Sequence, residues 1–261
     1  MGRVHAFELM DQSWWPERLR RAATDYLAFV ISKSGAFTPL APRLAQLVDG
    51  TAEGRIVDLC AGGGGPYPAL LDAVDAARGG RKTALVLTDL RPNVDAGRRI
   101  GAGDARVTLE PRSVDALAVP PELGGVRTLF DGLHHFAPAD ARALLADAAR
   151  SRAPILVAEA SERSPAAIVA SVFIPLFVLL VMPLVKPRSW PALALTYLVP
   201  ILPLAIFWDG LVSCLRTYRV DELRALVAGL DDGYRWEAGT VKKAGRNITF
   251  LVGEPAPHAP S

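Results

Sequence analysis

The run Arg55-Ile-Val-Asp-Leu-Cys-Ala-Gly-Gly-Gly-Gly-Pro66 constrains this chain more than any other: a short β-branched segment reaches a carboxylate, then four consecutive glycines, then a helix start. Glycine adopts backbone conformations closed to other residues and lacks a Cβ, so Gly62 to Gly65 can turn sharply and let a ligand lie against the main chain. Pro66 suits a first helical position, where its fixed φ and missing N–H cost nothing. This is a nucleotide-type strand-loop-helix unit.

Two cofactor classes use such a turn, and the acidic residue separates them. A dinucleotide site needs G-x-G-x-x-G, with the diphosphate on the helix N-terminus and an acid about 20 residues further on for the ribose. Gly62 and Gly64 meet the first two positions, but the third falls on Tyr67, whose ring obstructs close helix–strand packing. Asp58 stands just before the loop, where a diphosphate is unwelcome and a cation is favoured.

The stretch resembles motif I of the class I S-adenosylmethionine-dependent methyltransferases, a strand ending in an acid followed by G-x-G-x-G. Cys60 replaces the first glycine, and Gly62 and Gly64 supply the other two. The resemblance covers roughly residues 54–160 and 219–253. It implies S-adenosylmethionine as cofactor, held by Asp58, Cys60, Ala61, Gly62 and Gly64 at the loop, by Asp89 with Leu90 at the ribose, and by Asp115 with Ala116 at the adenine edge.

Strands are expected over Lys82 to Asp89, Arg106 to Glu110, Val126 to Phe130 and Pro154 to Glu159, all four closed or followed at once by an acid. A helix is expected over Pro138 to Arg150, from apolar residues at helical spacing, and another over Asp221 to Leu230. Tyr234 to Lys243 and Asn247 to Gly253 read as a terminal hairpin. The fold class is therefore α/β: a Rossmann-like, seven-stranded, mostly parallel sheet with a terminal antiparallel hairpin, plus an apolar helical insert.

After the fourth strand comes Asp131-Gly-Leu-His134-His135-Phe136. Ligands of open α/β sheets sit beyond the carboxyl ends of the strands, which puts this pair beside the transferable methyl. With a reference pKa near ~6.5, His134 or His135 can take a proton from an acceptor. The alternative is that both shape the loop.

Residues 1–50 form an expected N-terminal helical cap. Leu19, Ala22, Ala23, Tyr26, Leu27 and Val30 give one apolar face, to pack on the sheet or to carry a substrate lid with Asp11, Trp14 and Trp15. The methyltransferase-like domain is expected over 51–164 and 209–254, with a disordered tail over 255–261. Between its two parts, residues 165–208 hold two uncharged runs separated by Lys186-Pro187-Arg188. Each run is long enough for a ~30 Å hydrocarbon core, yet Pro175, Pro183, Pro191, Pro200 and Pro203 interrupt them and the basic loop disfavours export. Transmembrane helices, a re-entrant or interfacial membrane hairpin, and a soluble lid or homodimer interface all remain open. Trp208, where the apolar stretch ends, is a candidate substrate contact with Trp14, and Asp209 a candidate helix cap.

The 261 residues carry a formal charge of +2, too small to argue a nucleic-acid partner. Two distant cysteines make no disulfide framework, no Cys/His cluster has zinc spacing, and no secretory signal is apparent, so a cytoplasmic protein with no metal is expected. The functional expectation is methyl transfer to a lipophilic small-molecule or lipid acceptor, on the inner face of a membrane. An NAD(P)-dependent oxidoreductase and a non-catalytic, membrane-associated protein on a methyltransferase fold are the alternatives.

Overall fold

Short β-branched and leucine-rich segments pair into a seven-stranded sheet of order β3-β2-β1-β4-β5-β7-β6 in the computed structural model, which describes residues 2–230 and 233–256. Strands β1 (Arg55–Asp58), β2 (Ala84–Leu87), β3 (Val107–Leu109), β4 (Val126–Phe130) and β5 (Ile155–Glu159) run parallel. The hairpin β6 (Tyr234–Lys243) and β7 (Arg246–Pro255) closes the sheet, β7 antiparallel to β5. The sheet is the expected one.

Helices α2 (Ala41–Asp49) and α3 (Ala69–Ala77) cover one face, where Leu44, Val48, Leu70 and Val74 bury against Ile56 and Leu85. Helices α5 (Pro138–Arg150) and α10 (Val220–Val227) cover the other, with Leu144 and Leu223 against Val57 and Leu129. Helix α4 (Val94–Gly103) joins β2 to β3. Strands buried on both sides explain their continuous apolar runs.

Besides the shorter ends of β2, β3 and β5, four boundaries differ from expectation. Helix α3 starts at Ala69 with Pro68 at its N-cap, not at Pro66, because Gly62, Gly64 and Gly65 all hold positive φ and prolong the turn. Helix α10 spans Val220–Val227 instead of reaching Leu230. Strand β7 continues past Gly253 through Pro255, so Pro255 is paired and not part of a disordered tail; 257–261 lie outside the described residues. The apolar insert does not stop at Trp208, since α9 runs unbroken from Ile201 to Arg216.

The insert corrects a second expectation. Its two apolar runs are not two continuous helices: they break into α6 (Pro165–Ser171) and α7 (Ile174–Val181), and into α8 (Trp190–Tyr197) and α9, bent pairs that together keep the length and composition of a broken span or re-entrant loop. The first pair is bent by 50° and the second by 81°, and no single helix among the described residues is long and apolar enough to cross a membrane. Proline is the cause. Pro175 and Pro191 occupy first-turn positions and Pro200 the N-cap, where a missing N–H is harmless, so each restarts a helix instead of extending one.

Helix α1 (Glu17–Ser34) packs on this insert more than on the sheet. Leu19, Ala22, Ala23 and Tyr26 share a third core with Val178, Met182, Leu202 and Ile206. The expected apolar face of α1 is real, but its main partner is the insert.

Candidate active site

The carboxyl edge of the sheet collects acids. Asp58 ends β1, Asp89 follows β2, Asp115 follows β3, Asp131 follows β4 and Glu159 ends β5. Register sets Asp58 beside Thr128, whose hydroxyl donates to Asp58 Oδ1 at 2.6 Å, and the Tyr67 hydroxyl lies 3.3 Å from Thr128 Oγ1. Asp58 is 2% exposed and has no cationic partner among the described residues. Burial pushes its carboxyl up to about 8, the Thr128 hydrogen bond opposes this, and the charge of Asp89 adds to it.

Beyond Asp58 the chain turns through Cys60, Ala61, Gly62 and Gly64. Cys60 has φ 54°, a left-handed conformation that costs an L-residue about 1 kcal/mol or more, so the missing glycine is replaced at the expense of strain. Burial and the acids Asp89, Asp58 and Asp115 push its thiol up, so it is no nucleophile. Helix α1 roofs the loop: a Cβ on Gly63 would meet the Ala28 methyl at 3.0 Å and Thr24 at 3.1 Å, and one on Gly64 would strike Ile100 at 2.2 Å. Asp89 spans the turn, accepting from Gly62 N at 2.8 Å through Oδ2 and from Arg91 N at 2.8 Å through Oδ1. Each oxygen keeps a free lone pair for a hydroxyl. Leu90 beside it is exposed, Asp115 is exposed with Oδ1 accepting from Leu117 N at 2.9 Å, and Ala116 is buried.

The strand order, with an acid and glycine turn after β1 and an acid after β2, decides the architecture. It is a Rossmann-like α/β sheet with the strand order that the resemblance to class I S-adenosylmethionine-dependent methyltransferases implies.

No family model matches the sequence, and no curated protein matches it. Solved structures do. The chain is similar to an O-methyltransferase of neocarzinostatin biosynthesis in complex with S-adenosylmethionine and 2-hydroxy-5-methyl naphthoic acid, at 18% identity and a TM-score of 0.45 over 83% of this chain and 52% of that one. It is similar to mitomycin 7-O-methyltransferase at 17% identity and a TM-score of 0.46, over 84% and 54%. Magnesium protoporphyrin IX methyltransferase of Synechocystis PCC 6803, with bound S-adenosylhomocysteine, gives 15% identity and a TM-score of 0.45 over 87% and 86%. This chain spans little more than half the length of the first two.

Beyond the carboxyl end of β4 the two histidines part company. His134 is 3% exposed; its Nδ1 lies 2.6 Å from Glu159 Oε2, and its backbone N–H donates to Glu159 Oε1 at 3.1 Å. Burial disfavours the imidazolium, but Glu159 by charge and hydrogen bond, with the charges of Glu8 and Asp131, outweighs it and raises His134 to about 9. A histidine held toward its protonated form is a poorer general base, which weighs against His134 in that role and leaves His135 the better candidate. His135 differs: its side chain is 34% exposed, its ring lies 4.3 Å from that of His134, and its Nδ1 sits 2.8 Å from Asp11 Oδ1 and 3.5 Å from Glu8 Oε2.

Glu8 and Asp11 belong to an N-terminal strap that the sequence reading passed over, except for Asp11. Residues 3–11 cross the site and are pinned by α9. Asp209 accepts from Leu9 N at 2.6 Å and Met10 N at 3.1 Å, so it caps this strap and not its own helix. Burial pushes the Asp209 carboxyl up to about 6. Trp208 Nε1 donates to the Phe7 carbonyl at 3.1 Å and its ring packs against Phe7, while Trp14 is exposed and packs edge-on to Trp15. Trp208 thus holds the strap, and Trp14 is not brought to the histidines by any described contact.

Arg216 is the hub. Its buried guanidinium donates to the His134 carbonyl at 3.0 Å, the His135 carbonyl at 2.7 Å and Asp11 Oδ2 at 2.7 Å, and lies 3.2 Å from Glu8 Oε1. Although burial pushes Asp11 up, His135 and Arg216 outweigh it and hold the carboxyl below the usual range. Glu8, His134 and His135 offer atoms within 4.8 Å of one another, a spacing compatible with a metal, but the Arg216 cation already neutralises Glu8. Asp209 and Arg216, two charged residues in a largely apolar helix, are the signal in the sequence that pointed to buried partners.

Proposed function

We propose that the protein transfers the methyl group of S-adenosylmethionine to a lipophilic small-molecule acceptor. The observation that carries the reading is Asp58: a buried carboxylate with no counter-cation, raised toward neutrality, at the start of a glycine turn. Such a group gains a counter-charge from a cationic amino end, which would draw off its proton, and gains none from a diphosphate, which disfavours NAD(P). The cofactor, when bound, supplies an electrophilic methyl on a sulfonium. Asp58 would hold its amino-acid end, Gly62 and Gly64 would let its chain approach the backbone, Asp89 would accept the ribose hydroxyls and Asp115 the adenine amine beside Leu90 and Ala116.

His135, kept oriented by Asp11, would take the acceptor's proton as its nucleophile attacks in line. The strap 3–11 and α9 would exclude water, and the apolar insert would receive a greasy acceptor at the inner face of a membrane. Because positive charge disappears as the methyl moves, contacts to the sulfur itself should stay weak.

Calorimetry tests the cofactor. Asp89→Ala is expected to weaken S-adenosylmethionine binding roughly 100-fold, through two lost charge-assisted hydrogen bonds. Tight binding of NAD or NADP with none of S-adenosylmethionine would replace this reading by the oxidoreductase. Kinetics test the base: His135→Gln is expected to lower kcat by about 10²-fold to 10⁴-fold with cofactor affinity unchanged. A kcat within a factor of three of wild type would remove His135 from the chemistry.

A further inference from the structure

Helix α7 is amphipathic in reverse. Ile174, Val178 and Val181 face the third core, while Phe173, Leu176, Phe177, Leu180 and Leu184, at helical spacing, are all half exposed or more. Water gains nothing from this stripe, and an apolar patch of such extent marks a contact surface. Its far end carries Lys186 and Arg188 and then Trp190, 82% exposed. An aliphatic stripe ending in basic and tryptophan side chains is the composition of a helix lying in a membrane interface.

Beside that end opens a cavity of about 480 Å³ between α1, the start of α4 and the 185–193 turn. Four arginines line it, Arg18, Arg21, Arg99 and Arg188, against two aspartates. Arg99 pairs with Asp25 at 3.1 Å and Arg21 lies 3.5 Å from Asp95. Arg18 and Arg188 have no acid partner among the described residues. Apart from Asn93 and Ser189 the rest of the lining is apolar, with Met182 and Val185 continuing into the exposed stripe. A surplus of cations over a floor that leads to an apolar ridge fits one class of ligand: an amphiphile with an anionic head.

We propose that this cleft binds the anionic headgroup of a membrane phospholipid, so that the insert docks flat on a negatively charged leaflet, α7 stripe downward. The inference rests on the membrane contact in the functional reading and adds its charge selectivity and the residues that confer it. A second copy of the chain fits the same face less well, because it would bring its own Lys186 and Arg188 toward a surface already in cationic surplus.

Flotation of the full-length protein with vesicles tests it. Binding to phosphatidylcholine vesicles containing phosphatidylglycerol is expected to be roughly tenfold to thirtyfold tighter than to phosphatidylcholine alone, and to weaken in high salt. The double variant Arg18→Gln/Arg188→Gln, two exposed changes, is expected to lose that preference while keeping the residual binding to neutral vesicles. Glycerol 1-phosphate in solution is expected not to displace the protein. Equal binding to both vesicles, binding to neither, a preference that survives in the double variant, or displacement by the soluble phosphate would each overturn the headgroup site. Calorimetry with S-adenosylmethionine on the same samples separates this failure from failure of the methyltransferase reading.

Discussion

Replacing Arg216 by methionine is expected to destabilise the protein by about 3–5 kcal/mol, the cost of stripping a buried charge network of its cation. For a chain of this length that lowers Tm by roughly 10 °C. The guanidinium is 2% exposed and serves four acceptors at once, so its loss leaves Glu8 buried without its nearest counter-charge, the His135 carbonyl without its side-chain donor and the His134 carbonyl with Arg3 alone. Lysine cannot span the same set, because one ammonium lacks the planar fork that reaches both carbonyls and Asp11 together, so Arg216→Lys should fall between methionine and wild type. The strap should also loosen, since the Arg216 side chain itself holds Asp11 and Glu8, leaving only the backbone anchors of Arg3 Nε on the Arg216 carbonyl and Val4 N on that of Leu215. Denaturant titration measures the energy, and limited proteolysis near residues 3–11 measures the release. A Tm within 2 °C of wild type and an uncut strap would refute the hub.

Much of the sheet was legible in the chain because parallel strands buried on both faces must be uniformly apolar. Val126–Phe130 and Pro138–Arg150 emerge at the boundaries read from pattern alone. The glycine turn was legible too, but not its length: three positive-φ glycines postpone the helix to Ala69, and periodicity carries no information about φ. The insert misled for a physical reason. Hydropathy sums apolar residues without regard to direction, whereas Pro175, Pro191 and Pro200 decide direction by restarting the helix, and Val178, Met182 and Leu202 are spent on packing against α1. The strap was hidden because Glu8 and Arg216 are separated by most of the chain. Nothing local in Val4-His5-Ala-Phe-Glu8 says that its acid is buried, and only the tertiary fold pairs it with a cation.

Cofactor affinity is expected to rise with pH between 6 and 7.5, by up to tenfold per unit, and to do so through Asp58. Burial holds this carboxyl protonated to about 8, while a cationic amino group prefers the carboxylate, so binding must expel a proton. The sign follows from linkage. Below about 8 the free protein carries the proton and the complex does not, so raising pH favours the complex; in this range the cofactor's own amine stays largely charged, near its reference pKa of about 7.7–8.0. The ligand-free protein behaves oppositely. Its folded-state pKa is raised above the ordinary carboxylate value of 3.8, so the folded state binds more protons than the unfolded one and stability declines as pH climbs toward about 8. The thermal shift produced by S-adenosylmethionine should therefore be larger at pH 7.5 than at pH 6. Calorimetry at pH 6.5 in buffers of different ionisation enthalpy should register close to one proton released by wild type and none by Asp58→Asn, which keeps the shape and the Thr128 contact without the titration. An affinity flat over this range, or a proton release that persists in the asparagine variant, would show that the carboxylate after β1 is a structural group and does not meet the cofactor.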